Sequence, residues 1–159
     1  MSPATVADPE AIEQVFASVP LLGRLSARQR ARLAGLATTR SYPSGSVIVR
    51  QGDTSMALYV VVSGRVRIDR ESEASAPVQV DEAGSGGFFG EMGLIEDLPR
   101  AATVSAEEET ECALLAKWDF QNELRNDPDI GLALLPVLGA RIRELDEQLV
   151  RARAGAGGR

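Results

Sequence analysis

The chain has 159 residues, 44% of them apolar, with a formal charge of −6, one cysteine and no histidine. That length suits one domain with a sizeable core; the acidic balance argues against nucleic acid as the main partner; and the lack of histidine removes His-based metal sites, Ser-His and Cys-His nucleophile pairs and imidazole acid–base chemistry. Cys112 alone cannot form an internal disulfide, no apolar run approaches a membrane span, and the N-terminus lacks the basic and apolar regions of a signal peptide, so a cytoplasmic location is the simplest expectation.

In chain order, residues 1–7 are expected to be disordered. From Asp8 to Ser18 a helix is predicted: Asp8 can cap it, Pro9 suits its first turn, and Ile12, Val15, Phe16 and Val19 share one face. Ser26 caps a second helix, whose apolar stripe is Leu33, Leu36 and Ala37 and whose arginines Arg28, Arg30 and Arg32 form a solvated face. From Thr39 the pattern changes to short strands separated by Pro-Ser-Gly, Gln-Gly-Asp and Ser-Gly turns. "LYVVV" is continuously apolar, as in a strand buried in a barrel or sandwich; "RVRI" alternates, as in a strand with one wet face. "RESEASAP", Arg70 to Pro77, reads as a polar hairpin loop and "VQVD" as another short strand. "ATVSA" and "ECALLA" close the series around the acidic turn "EEET", with Cys112 in the core.

Helix then returns. "KWDFQNELRND" is a short helix ended by Asp127-Pro128, with Trp118 and Phe120 expected to anchor it. A longer helix runs from Asp129 to about Ala154, with a kink or break at Pro136. Leu138, Ile142, Leu145, Leu149 and Ala152 are spaced four, three, four and three, an a/d seam; it either packs on its own barrel or meets a second copy of the helix. The sum is a mainly β fold: an antiparallel β-barrel or jelly roll over about 39–116, two helices before it, C-terminal helices over about 117–154, and a flexible tail at 155–159.

One segment stands out chemically. Arg100 is the single basic residue between Glu71 and Ala116, a window holding eleven carboxylates. It either neutralises a neighbour such as Glu91 or Glu96, or awaits an anion from outside the chain. The glycines around Gly90 and Gly93 let backbone approach a ligand, and amides at the start of a single helical turn favour an anion. Glu91 could accept hydrogen bonds from sugar hydroxyls, and an arginine can grip phosphate oxygens with two parallel bonds. Phosphate, ribose and an apolar wall for a base describe a nucleotide pocket.

"FGEMGLIEDLPRAATVSA", Phe89 to Ala106, resembles the phosphate-binding cassette of the cyclic-nucleotide-binding domains, and "VIVRQGDTSMALYVVVSGRV", Val47 to Val66, resembles that family's strand-turn-strand pattern. "VPLLGRLSARQRARLA" is similar to its leading helices. The resemblance implies that Glu91 takes the ribose 2′-hydroxyl and Arg100 the cyclic phosphate. It also implies that Phe89, Gly90, Met92 and Gly93 line the sugar-phosphate and that Ala101 and Ala102 offer amides to phosphate oxygens. Ala101, just after the arginine, favours cAMP over cGMP. Ser55 stands where a small residue without a hydroxyl is usual, and the C-terminal helix is expected to lay Leu145 or Asp146 over the base as a lid. The function implied is a cyclic nucleotide sensor, with cAMP or possibly cGMP as its ligand and no other cofactor. It would rearrange its C-terminal helices to signal to a partner or a further domain, and would not be an enzyme. A homodimer through the last helix is a further expectation. The alternative is a barrel that serves as an interaction module and binds no nucleotide. A cupin-like metalloenzyme is disfavoured by the missing histidines.

Overall fold

A computed structural model describes residues 8–157. Two short helices come first, α1 (Pro9–Ser18) and α2 (Ala27–Leu36). Asp8 caps α1 through a 3.1 Å bond from the Glu10 amide, and Ser26 and Gln29 satisfy each other's backbone amides in a capping box, so both starts are fixed by side chains the sequence places there. Eight strands follow: β1 (Thr38–Tyr42), β2 (Val47–Val49), β3 (Ala57–Ser63), β4 (Arg65–Ser72), β5 (Ser75–Gly84), β6 (Phe88–Phe89), β7 (Thr103–Ala106) and β8 (Thr110–Ala116). A single 3-10 turn, Glu91–Leu94, sits between β6 and β7. The chain ends in α3 (Lys117–Asn126) and α4 (Asp129–Gly157).

The strands form two four-stranded antiparallel sheets, ordered β1-β8-β3-β6 and β2-β7-β4-β5. The jelly-roll expectation holds, in the form of a sandwich of two sheets and not of a closed barrel. Between the sheets lie Ala57, Tyr59, Val61, Cys112 and Leu114 from one side and Val66 and Val104 from the other. The first sheet's other face, Leu58, Val60, Ala113 and Leu115, packs on Phe16, Leu22, Leu33, Phe120 and Ile130 of the helical layer. This explains the unbroken apolar run of β3: successive side chains point to opposite faces, and both faces are covered. β4 alternates because its outer face meets water.

Several expectations need correction. Arg70 to Pro77 is not a loop: β4 extends to Ser72, β5 starts at Ser75, and only Glu73 and Ala74 turn between them. Backbone pairing holds this mostly polar ribbon, and the Gln51 side chain bonds both the amide and the carbonyl of Glu71. On α2 the buried face is Leu33 with Ala34, while Leu36 is exposed. The chain leaves the helix at Ala37, where helical periodicity no longer applies. Of the three arginines, only Arg28 is simply solvated; Arg30 pairs with Glu13 of α1 at 2.9 Å and Arg32 with Glu123 of α3 at 3.2 Å. Phe120 anchors α3, but Trp118 is 60% exposed.

α4 is continuous through Pro136, with no break there, and runs on to Gly157, so residues 155–157 of the expected tail are helical. Residues 1–7 and 158–159, the remainder of the segments expected to be disordered, lie outside the described residues. Of α4 only Ile130 and Leu134 are fully buried, and Leu138 is half-buried. From Arg141 onward every described residue is exposed. The Ile142, Leu145 and Leu149 seam therefore does not pack on the chain's own sandwich.

Candidate nucleotide-binding cavity

Gly90 adopts φ +83°, a left-handed conformation that glycine enters without strain. It turns the chain out of β6 into the 3-10 turn and leaves the Glu91 and Met92 amides outside the backbone hydrogen-bond pattern. A Cβ at Gly90 would overlap Arg100 Nη1 and come within 2.9 Å of the Ala57 carbonyl. At Gly93 a Cβ would overlap the Ser55 side chain. Both glycines are therefore required by close approach. Leu94, fully buried among the helices, pins the far end of the turn.

Arg100 is held by its backbone first. Its amide donates to the Asp53 carbonyl at 2.7 Å, and the Gly52 amide donates to the Arg100 carbonyl at 2.9 Å. The segment joining β2 to β3 thus clamps the chain on either side of the guanidinium. The residue is 8% exposed. Nη2 donates to the Ala57 carbonyl at 3.0 Å, and Nη1 is buried with no partner. The guanidinium carbon stands 5.2 Å from the Tyr59 ring centroid. Burial lowers the Arg100 pKa from its ordinary value, and neighbouring Tyr59 opposes that shift. No ion pair among the described residues involves Arg100 or Glu91. The bland possibility, an arginine neutralised by Glu91 or Glu96, is not what the chain builds. A buried cation with an unused donor is costly unless something else completes it.

Arg100 is among the residues that line a cavity of about 360 Å³, within the range of small-molecule sites; with Ala57 and Tyr59 it also borders a second one of about 220 Å³. Phe89, Gly90, Glu91, Met92, Gly93, Arg100, Ala101 and Ala102 all line the larger one. The sequence segment around the lone arginine thus closes on itself as one wall. The opposite wall, Val49, Ile68 and Val104, comes from β2, β4 and β7 and is apolar. Leu98, Pro99 and Ser55 complete the lining. Glu91 is half-buried at the start of the turn. Leu145 and Asp146 are exposed on α4 and are not part of the cavity wall. The strand residues of the far wall could not be singled out beforehand, because their meeting with the cassette depends on long-range pairing between β2, β7 and β4.

The two-sheet jelly roll thus brings a glycine-lined turn, a half-buried glutamate and a buried arginine without a carboxylate partner to the wall of one mostly apolar cavity. Residues 39–127 match the model of the cyclic nucleotide-binding domain, and the chain belongs to that family. It is 37% identical over 110 residues to the cyclic AMP receptor protein of Thermus thermophilus, covering 69% of this chain and 51% of that one. It is 34% identical over 112 residues to a cAMP-dependent protein kinase regulatory subunit of Pyricularia oryzae, covering 70% of this chain and 28% of that one. The fold matches the crystal structure of the N-terminal domain of a transcriptional regulator from Streptomyces coelicolor with a TM-score of 0.77 and 28% identity, over 85% of this chain and 94% of that one. The chain thus spans about half the length of the Thermus receptor and under a third of the kinase subunit. Among the described residues no helix is long and apolar enough to cross a membrane.

Proposed function

We propose that the cavity binds a cyclic nucleotide, with cAMP favoured, and that occupancy is passed to the C-terminal helices. The observation that carries this reading is the buried Arg100 guanidinium with Nη1 unpaired, in a stretch otherwise crowded with carboxylates. A cyclic phosphate completes that donor with a charged hydrogen bond. Glu91, on the same turn, accepts from the ribose 2′-hydroxyl, and the Ala101 and Ala102 amides face the phosphate. Val49, Ile68 and Val104 present an apolar wall to the base. The names of the Thermus and Pyricularia relatives support cAMP as the ligand, as does Ala101, which offers no hydroxyl to a guanine. Leu145 and Asp146 act as a base lid only if α4 folds back towards the cavity, so that part of the reading requires the helices to move. A cytoplasmic regulator acting on a partner or a further domain fits this function.

Calorimetric titration of cAMP and cGMP into the chain tests the site. Arg100→Ala should weaken cAMP binding by about 2–5 kcal/mol, the usual result of removing one member of a buried charge pair. Arg100→Lys should rescue it poorly, since lysine lacks the planar fork. Glu91→Gln should cost much less and should narrow the preference for cAMP over 2′-deoxy-cAMP. Unchanged affinity in Arg100→Ala would remove the arginine from the site.

The exposed seam Ile142, Leu145 and Leu149 supports a second element of the reading, pairing with the same helix of another copy. It is compatible with ligand binding, and it is also what the alternative of a pure interaction module would need. Sedimentation of the chain and of Ile142→Glu/Leu149→Glu tests the pairing: a dimer lost in the double variant assigns the seam, and the cAMP titration above separates the two readings.

A further inference from the structure

Arg100 poses a physical problem that ligand binding alone does not solve. Before a ligand arrives, a buried guanidinium without a carboxylate must still be held in one orientation. Strand β3 supplies two groups that touch it. The Ala57 carbonyl accepts from Nη2 at 3.0 Å, and two residues on, on the same face of the strand, the Tyr59 ring lies beside the guanidinium carbon at 5.2 Å. A cation within about 6 Å of a ring centroid is attracted by the electron-rich face of the ring.

The ring itself is fixed. Tyr59 is directly opposite Phe89 in the β3–β6 register, and the two rings are stacked with centroids 4.9 Å apart and planes 9° apart. Phe89 immediately precedes Gly90, the residue that makes room for Nη1. One aromatic pair thus joins the arginine's support to the start of the turn that carries Glu91. Resting on the reading of the cavity as a cyclic nucleotide site, we infer that Tyr59 is a positioning residue for Arg100: its ring face, backed by Phe89, holds the guanidinium aimed and charged without neutralising it. A carboxylate in that place would orient the arginine equally well but would compete with the phosphate. An aromatic ring stabilises the cation and leaves its donors free.

The ring face does this work; the Tyr59 hydroxyl is hydrogen-bonded to the Tyr42 side chain, so its removal tests whether that bond, and not the ring face, sets the arginine. Tyr59→Phe should bind cAMP within about twofold of the parent chain, while Tyr59→Leu should bind about tenfold more weakly. In the Arg100→Ala background Tyr59→Leu should add little, because its effect runs through the arginine. A readout independent of ligand is the proton spectrum of the Arg100 side chain. Ring-current shifts should be present in the parent chain and in Tyr59→Phe and absent in Tyr59→Leu. An equal loss of affinity in Tyr59→Phe would overturn the inference even if Tyr59→Leu fails to fold, since it would move the effect to the hydroxyl. Parent-like binding by a folded Tyr59→Leu would overturn it while leaving the cavity assignment intact. Absence of cyclic nucleotide binding by the parent chain would overturn both.

Discussion

Single atoms decide much of the cavity. Gly93 approaches Ser55 so closely that an added Cβ would stand 2.7 Å from the Ser55 Cβ and overlap its hydroxyl. Gly93→Ala should therefore destabilise the chain by about 1–3 kcal/mol through overpacking. Adding Ser55→Gly, which removes the obstructing atoms, should restore most of that loss. Urea denaturation of the two single variants and the double variant measures the coupling, and simple additivity would show that the contact is not what constrains Gly93. The sequence makes this cluster half-visible. Arg100 stands out because it is alone among acids, and the glycines because they crowd a short stretch. Tyr59 does not stand out. Within "LYVVV" it reads as one more apolar strand residue, and its role follows only from the pairing that sets it opposite Phe89.

At the scale of elements, two contacts join the cavity wall to the helices. Leu94 at the end of the 3-10 turn is buried in the helical core. A few residues further on, Asp97 pairs with Lys117, the first residue of α3, whose own side chain is 9% exposed. The Lys117 amide also donates to the Met56 carbonyl at 2.9 Å, so the base of α3 touches both segments flanking Arg100. If ligand tightens the turn around phosphate, α3 feels it at this point. Lys117→Met keeps the buried stem and removes the charge. It should leave cAMP affinity within about threefold, because a pair with one member exposed contributes little. It should also reduce the change in hydrogen exchange that ligand causes over α3 and the start of α4. An undiminished exchange response in Lys117→Met would shift the coupling to Leu94 alone. Caps, turns and the switch from helical to strand periodicity were readable at this scale, because each depends on residues adjacent in the chain. The tip of the β4–β5 ribbon, Arg70 to Pro77, was not, because a polar stretch carries no hydropathy signal for a strand. The α2–α3 ion pair was not either, since Arg32 and Glu123 are brought together by tertiary packing.

The whole molecule has a further weakness at high pH. Burial raises Cys112 from 9.0 to about 12, and burial, with Tyr59 nearby, raises Tyr42 from 10.0 to about 12. Both are acids that the folded state keeps protonated, so between about pH 9 and pH 12 the unfolded chain binds fewer protons and stability falls as pH rises. Below pH 9 these groups contribute no slope. Thermal melting followed by circular dichroism from pH 8 to pH 11 should show this fall, and Cys112→Ala should flatten part of it. A profile that is flat to pH 11 in the parent chain would contradict the burial of both groups. α4 is fastened to the core only up to Leu138, and from Arg141 to Gly157 it stands clear of the rest of the chain. At 1.5 Å per residue the free arm beyond Leu138 is about 28 Å long, so a tilt of about 5° at its root carries the tip about 2 Å sideways. The helix has the geometry of a lever: a displacement at Leu94 or Lys117 too small to disturb the sandwich would be enlarged at its far end.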